Sequence, residues 1–362
     1  MESGLEDVVA AETVLSDVDG LGGRLIIRGA SLDDLSGQRF EAVAAMLLDG
    51  FFDPPINAAA VAAELGRARE RVFAHTRSID SVLLALAPTE AVRALLARLP
   101  DGDDVAMAMN LLAAPAVFAP AFIRARQGRS PIAPEASLGH SADVLRMLTG
   151  QPAHATAAAA LDTYLVTVID HGLNASTFAA RVVASTKAGL TSSVLAGISA
   201  LKGPLHGGAP GPVLDMLDSI GAPGNAEAWL DDALDRGERL MGFGHRIYRV
   251  RDPRADELKR ALAGMVAAGA VDAGRIALAE AVEQAALSIL KRRKPNRPLD
   301  TNVEFYTAVL LEALGFPRDA FTTVFAMGRT AGWIAHAREQ EETGRLIRPQ
   351  SRYIGPHPLQ AA

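Results

Sequence analysis

Cysteine is absent from the 362 residues. That excludes disulfides, thiolate nucleophiles and cysteine-ligated zinc, and it fits a reducing, cytoplasmic setting. Aromatic residues are scarce, 5% against 49% hydrophobic residues in all. A core so poor in rings must be filled by small aliphatic side chains, and abundant alanine favours closely packed helices. Surplus positive charge is lacking too: 36 Lys and Arg face 42 Asp and Glu, a net charge of −6. A general nucleic-acid binder would lack its cationic face. The acidic start, Met1-Glu-Ser-Gly-Leu-Glu-Asp7, has neither the basic nor the apolar region of a signal peptide. No uninterrupted apolar run approaches a membrane span. The expectation is a soluble cytoplasmic protein with neither nucleic acid nor membrane as partner.

Common catalytic signatures are missing as well. The chain has no Gly-x-x-x-x-Gly-Lys-Ser/Thr phosphate loop, no complete Gly-x-Gly-x-x-Gly fingerprint, no His-Glu-x-x-His and no Gly-x-Ser-x-Gly elbow. Kinase, redox, zinc-hydrolase and serine-hydrolase readings lose their usual support, and no resident metal is expected.

What is present is helical periodicity. Apolar residues recur at three and four positions over 56–75, 89–99, 155–169, 176–185 and 275–291. In the last of these Leu278, Val282, Ala285 and Ile289 form one stripe, with Glu280, Glu283 and Lys291 opposite. Ile276 and Leu287 also fall opposite, so that helix is expected to be covered on both faces. Strand signals shrink to Arg24-Leu-Ile-Ile-Arg28, a small hairpin arm at most. The fold expected is mostly α, and the length calls for two domains or a core with a large insertion. Pro and Gly mark breaks at Pro88, at 131–134, in the nine-residue loop 203–211 with its four glycines and two prolines, at 294–298 and at 315–317.

Charge is distributed unevenly. Between Arg236 and Arg260 eight Arg and Lys stand against four Asp and Glu, a local +4 in an acidic chain. Here His245 lies behind the glycine turn Gly242-Phe-Gly244 and ahead of Arg246, Arg249, Arg251 and Arg254, a site suited to a small, multiply charged anion. His206 sits in the 203–211 loop, where glycines permit close backbone approach by a ligand, although an incidental histidine in a tight turn reads equally well. Glu304 precedes the apolar run 308–314, where helix capping is the strong alternative. The basic run Lys291-Arg-Arg-Lys294 with Arg297 reads first as a solvated helix end.

Together these segments resemble the citrate synthase family, and the match extends over most of the chain. It rests on Gly4-Leu-Glu-Asp-Val-Val-Ala-Ala-Glu-Thr13, Gly22-Gly-Arg-Leu-Ile-Ile-Arg-Gly29, Asp170-His-Gly-Leu-Asn-Ala-Ser-Thr-Phe-Ala-Ala-Arg181 and Gly203-Pro-Leu-His-Gly-Gly-Ala209. Gly242 to Tyr248, Asp252-Pro-Arg-Ala255, Asn302-Val-Glu-Phe-Tyr306 and Gly328-Arg-Thr-Ala-Gly-Trp-Ile-Ala-His336 follow in the family's order.

The resemblance implies a mostly helical homodimer whose subunits each have a large domain (1–211 and 319–362) and a smaller mobile domain (212–318) that close over the substrates. It implies condensation of acetyl-CoA with oxaloacetate and hydrolysis of citryl-CoA to citrate and CoA. CoA thioester would be a co-substrate, with no cofactor permanently bound. By motif position Glu304 would be the base that takes the methyl proton. His206 would donate to the thioester oxygen, and His245 would polarise the ketone. Arg254, Arg329 and His171 would hold oxaloacetate, with Arg348 reaching across from the partner subunit. Gly242, Gly244 and Arg249 would lie at the CoA phosphates, with the basic run at 291–294 assisting.

Two positions depart from the family pattern. Glu304 replaces its usual aspartate, which moves the carboxylate outward by roughly 1.5 Å on a fixed backbone. Gly172 stands where many relatives carry glutamate, removing a charge beside His171. A 2-methylcitrate synthase using propionyl-CoA is the rival within the same chemistry. A catalytically impaired paralogue with a binding or assembly role, and a lyase cleaving a citryl thioester, are the rivals outside it.

Overall fold

The computed structural model describes residues 8–356, apart from 54, 207–209, 245–247, 249 and 297–298. The small sheet comes first: β1 (Ser16–Asp19), β2 (Arg24–Ile27) and β3 (Ala30–Ser31) run antiparallel in that order, Ser16 opposite Ile27 and Ile26 opposite Ser31. The expected hairpin arm is therefore a three-stranded meander. The two-residue β3 is too short to leave an alternation in the sequence.

Sixteen α-helices follow among the described residues. They begin with α1 (Leu32–Leu35), α2 (Phe40–Leu48), α3 (Ala58–Phe73), α4 (Ser81–Leu84), α5 (Pro88–Leu96) and α6 (Val105–Arg126). Then come α7 (His140–Thr149), α8 (Ala155–Thr167), α9 (Ala175–Ala184), α10 (Leu190–Leu201), α11 (Pro210–Ile220) and α12 (Ala226–Asp235). The last four are α13 (Pro253–Ala267), α14 (Ala273–Arg293), α15 (Val303–Ala313) and α16 (Phe321–Thr343).

Local chemistry sets many of these starts. Asn57, Asp80, Asp104, Asn174, Asp252, Asp272 and Asn302 each accept a first-turn amide at a helix N-cap, contacts worth about 1 kcal/mol apiece. Pro88 opens α5, where its missing N–H costs nothing. The 203–211 loop is shorter than the sequence suggested, because Pro210 and Gly211 already belong to α11; Gly207, Gly208 and Ala209 lie outside the described residues.

The central helix, α6, lies outside the periodic segments picked out in the sequence. It carries Pro115 and Pro120 inside its 22 residues, and its mean hydropathy of 1.8 would allow it to cross a membrane by length and composition. Here 83% of that window is buried in the protein, with α3, α5, α7 and α16 packed around it. Phe118 and Phe122 are fully buried, each worth roughly 1.5–3 kcal/mol of burial.

Helices α11 to α15 pack largely on one another, and α13 also packs on α8. On α14 the structure departs from the simple stripe: Glu283 is buried. It accepts from Tyr306 Oη at 2.6 Å, Lys259 Nζ at 2.7 Å, Thr301 Oγ1 at 2.8 Å and Arg251 at 3.0 Å, enough donors to hold a desolvated carboxylate. At the end of α14, Arg292 and Arg293 pair with Asp231 and Asp235 of α12 (3.0 and 2.6 Å). Half of the basic run is thereby committed to helix packing rather than to a ligand.

Candidate active site

Asp252 is the hinge-pin of the site. As N-cap of α13 it accepts from the Arg254 amide at 3.1 Å and holds the Arg254 guanidinium through Nε (3.0 Å) and Nη2 (2.8 Å). The same carboxylate accepts the Val303 amide at 3.1 Å, at the first turn of α15. One buried aspartate thus fixes Arg254 next to the helix start that carries Glu304. Burial works to depress the Arg254 guanidinium, and Asp252, with Tyr248 and Glu304 behind it, more than offsets that, so the group is held above its ordinary range.

Glu304 follows the N-cap Asn302, whose side chain accepts the Glu304 amide at 3.0 Å. The capping role proposed for Glu304 itself therefore falls to Asn302. Among the described residues the Glu304 carboxylate has no hydrogen bond or ion pair. Burial pushes its pKa up to about 7, with Arg254 pulling down and Asp252 pushing up. A carboxylate poised near neutrality and free of partners is equipped to take a proton.

The glycine turn is stitched to the same helix start. Gly242 and Gly244 have φ of +86° and +82°, and a Cβ at Gly242 would meet Phe305 at 2.8 Å, so neither tolerates a side chain. The Asn302 amide donates to the Gly242 carbonyl (2.9 Å), Asn302 Nδ2 to the Gly244 carbonyl (2.7 Å), and the Gly244 amide to the Asp300 carbonyl (2.7 Å). His245 and Arg249 lie outside the described residues.

On the other wall, α16 meets α8 at close range. A Cβ at Gly328 would fall 2.7 Å from the Leu165 carbonyl and one at Gly332 2.4 Å from that of Ile169. Between these glycines Arg329 sits 2% exposed, its Nε donating to the Val168 carbonyl at 2.6 Å. No carboxylate pairs with it among the described residues. Burial holds it down to about 10, Asp170 pulling it back up and Arg254 adding to the depression. A buried guanidinium without a carboxylate in contact calls for an anion.

His171 is likewise buried, Nε2 lying 3.1 Å from Tyr248 Oη, and the Tyr248 ring lies 5.7 Å from the Arg254 guanidinium carbon. The turn that presents it explains Gly172: φ there is +60°, and its amide donates to Ser16 Oγ at 2.9 Å, which in turn donates to Asp170. Glutamate would be strained at that φ.

His206 is half-buried, with Nε2 2.8 Å from Ser176 Oγ, which also accepts from Trp333 Nε1 at 3.2 Å. Burial, helped by Arg329, lowers its pKa to about 4, so the imidazole is neutral at pH 7. Arg254, Glu304 and His171 thus form one linked cluster, with Arg329 and His206 coupled to it electrostatically. Arg348 does not join them: it is exposed on the segment after α16. The sequence reading missed Asp252, Tyr248, Ser176 and Trp333 as individual site residues, though all four lie inside the quoted motifs.

Comparison with known proteins agrees over the whole length. The family model described as "Citrate synthase, C-terminal domain" matches residues 4–350. The chain is 42% identical to "Putative citrate synthase 2" of Mycobacterium tuberculosis, covering 98% of this chain and 93% of that one. It is 37% identical to that organism's "2-methylcitrate synthase", covering 98% and 91%. Among solved structures, the ternary complex of Thermoplasma acidophilum citrate synthase with carboxymethyl coenzyme A and oxaloacetate superposes with a TM-score of 0.80 at 26% identity, covering 99% of this chain and 97% of that one. Matching in family model, close relatives and all-α fold alike, the chain belongs to the citrate synthase family and is an acyl-transferring enzyme of that type.

Proposed function

We propose that this enzyme condenses acetyl-CoA with oxaloacetate and hydrolyses the resulting citryl-CoA to citrate and CoA. The observation that carries this reading is the set of Arg254, Arg329 and Glu304: two buried guanidiniums and a carboxyl group with no hydrogen bond or ion pair among the described residues, whose pKa is about 7. The guanidiniums suit the two carboxylates of oxaloacetate, with His171 alongside. Glu304 takes a methyl proton of the thioester, a very weak carbon acid. The neutral His206 donates a hydrogen bond to the thioester oxygen as charge moves onto it. His245 polarises the ketone, and the Gly242–Gly244 turn with Arg249 receives the CoA phosphates. CoA thioester is a co-substrate, and no permanently bound cofactor takes part.

In the same reading the protein is a cytoplasmic homodimer, Arg348 completing the partner's site. The 212–318 unit closes on the remainder, excluding water from the enolate. The 2-methylcitrate synthase relative supports a second reading, propionyl-CoA as the acyl donor, because one methylene in a pocket is worth only about 1–3 kcal/mol.

The test is thiol release from acetyl-CoA and from propionyl-CoA, each with and without oxaloacetate; a protein without cysteine gives no background. Oxaloacetate-dependent release from acetyl-CoA is expected to dominate. Release faster from propionyl-CoA moves the assignment to 2-methylcitrate, and release from neither overturns both.

A further inference from the structure

One group at this site has no task in the reaction as described. Tyr164 lies on α8, fully buried, and its hydroxyl has no hydrogen-bond partner among the described residues. Buried tyrosine hydroxyls ordinarily find a partner, because an unmade bond leaves the desolvation cost unrecovered. The placement of this one is specific. Helix α8 packs against α13, which carries Arg254, and against α16, which carries Arg329. One turn beyond Tyr164, the Val168 carbonyl is the atom that seats the Arg329 guanidinium. The charges that act on the Tyr164 hydroxyl are those of Glu304, Arg329 and Arg254, the three groups that define the anion site.

Guanidiniums only donate, so neither arginine can satisfy a neighbouring hydroxyl that needs an acceptor. Glu304 accepts nothing from it. A small dicarboxylate gripped between Arg254 and Arg329 would bring more acceptor oxygens than two forked guanidiniums consume. We propose that Tyr164 is a substrate-binding residue, its hydroxyl donating a hydrogen bond to a carboxylate oxygen of the dianion held by Arg254 and Arg329. This rests on the reading of that dianion as oxaloacetate. Burial, then Glu304, keeps the phenol well above its ordinary pKa, so the proton needed for donation is present throughout the working range.

The experiment is oxaloacetate binding by calorimetry to the full chain, without CoA, for the wild type and Tyr164→Phe, alongside steady-state kinetics. Phenylalanine keeps the ring and removes one oxygen, and an unchanged melting temperature checks that the fold is intact. A charge-assisted hydrogen bond predicts oxaloacetate affinity lowered about tenfold to a hundredfold and KM for oxaloacetate raised in parallel, with kcat at saturation within about twofold of wild type. Unchanged affinity overturns the proposal. So does a kcat loss with a displaced pH profile at unchanged affinity, which would make Glu304 the partner of the hydroxyl. A wild type that releases thiol but binds no oxaloacetate, or does neither, fails the functional reading itself and removes the proposal with it.

Discussion

Ser176 Oγ lies 2.8 Å from Nε2 of His206 and equally 2.8 Å from Asn174 Oδ1, so its single proton has two acceptors to choose between. Asn174 Oδ1 also accepts the amides of Ser176 and Thr177 at 3.1 Å each. Trp333 Nε1–H can only donate to Ser176. A neutral imidazole that stabilises an enolate oxygen through Nδ1–H needs the serine proton turned from Asn174 to His206 Nε2. Ser176→Ala is expected to lower kcat about tenfold, the worth of one oriented hydrogen bond, with oxaloacetate affinity unchanged. Steady-state kinetics with a binding titration checks it; a loss of affinity instead of kcat would put Ser176 in substrate binding.

Glu304 yields a pH prediction with two signs. As a base it works only when ionised, so the rate rises with pH through about 7. Stability runs the other way. Its folded pKa lies above the ordinary 4.5, so the folded protein binds the extra proton, and the stabilisation present below 4.5 is lost as pH climbs through about 7. Glu304→Gln should abolish thiol release and raise the melting temperature at pH 8 more than at pH 5. An equal shift at both pH values would count against the elevated pKa.

The length of Glu304 is separately testable. Asn302 and Asp252 pin the backbone at the start of α15, so Glu304→Asp retracts the carboxylate by roughly 1.5 Å with no compensating movement. A fall in kcat of about 100-fold is expected. A rise would show that the longer side chain is a handicap in this chain.

Arg329 trades stability for binding. Replacing a buried cation that no described carboxylate pairs with by an apolar side chain removes a desolvation cost, so Arg329→Met should stabilise the ligand-free protein by about 1–2 kcal/mol. The same variant should lose the rise in melting temperature that oxaloacetate gives the wild type. Thermal denaturation with and without oxaloacetate reads both, and a destabilised variant would mean that Arg329 has a structural anion of its own.

Much of this was legible before the fold was known, for reasons tied to particular residues. Asn and Asp caps and the proline at α5 punctuate the helices in the sequence itself, and the glycines at 242 and 244 announced a turn that φ of +86° and +82° requires. Helix α6 escaped because it is apolar on nearly every side, which leaves no polar face for periodicity to register. Glu283 escaped because periodicity assigns a face but cannot see that Lys259, Thr301, Tyr306 and Arg251 converge on it from three other segments. Asp252 was hidden by a different cause. Its partners, Arg254 two residues away and Val303 fifty-one away, meet only through tertiary packing.

The position of α6 bears on how the chain reaches this state. Its lipid-like cylinder is sheathed in part by α16, the last of the described helices to leave a ribosome. Until then one flank of an otherwise sealed interior stays open to water and to other chains, and truncation ahead of Phe321 would make that exposure permanent. Such a fragment should aggregate, even though it would retain Glu304, Arg254 and His206.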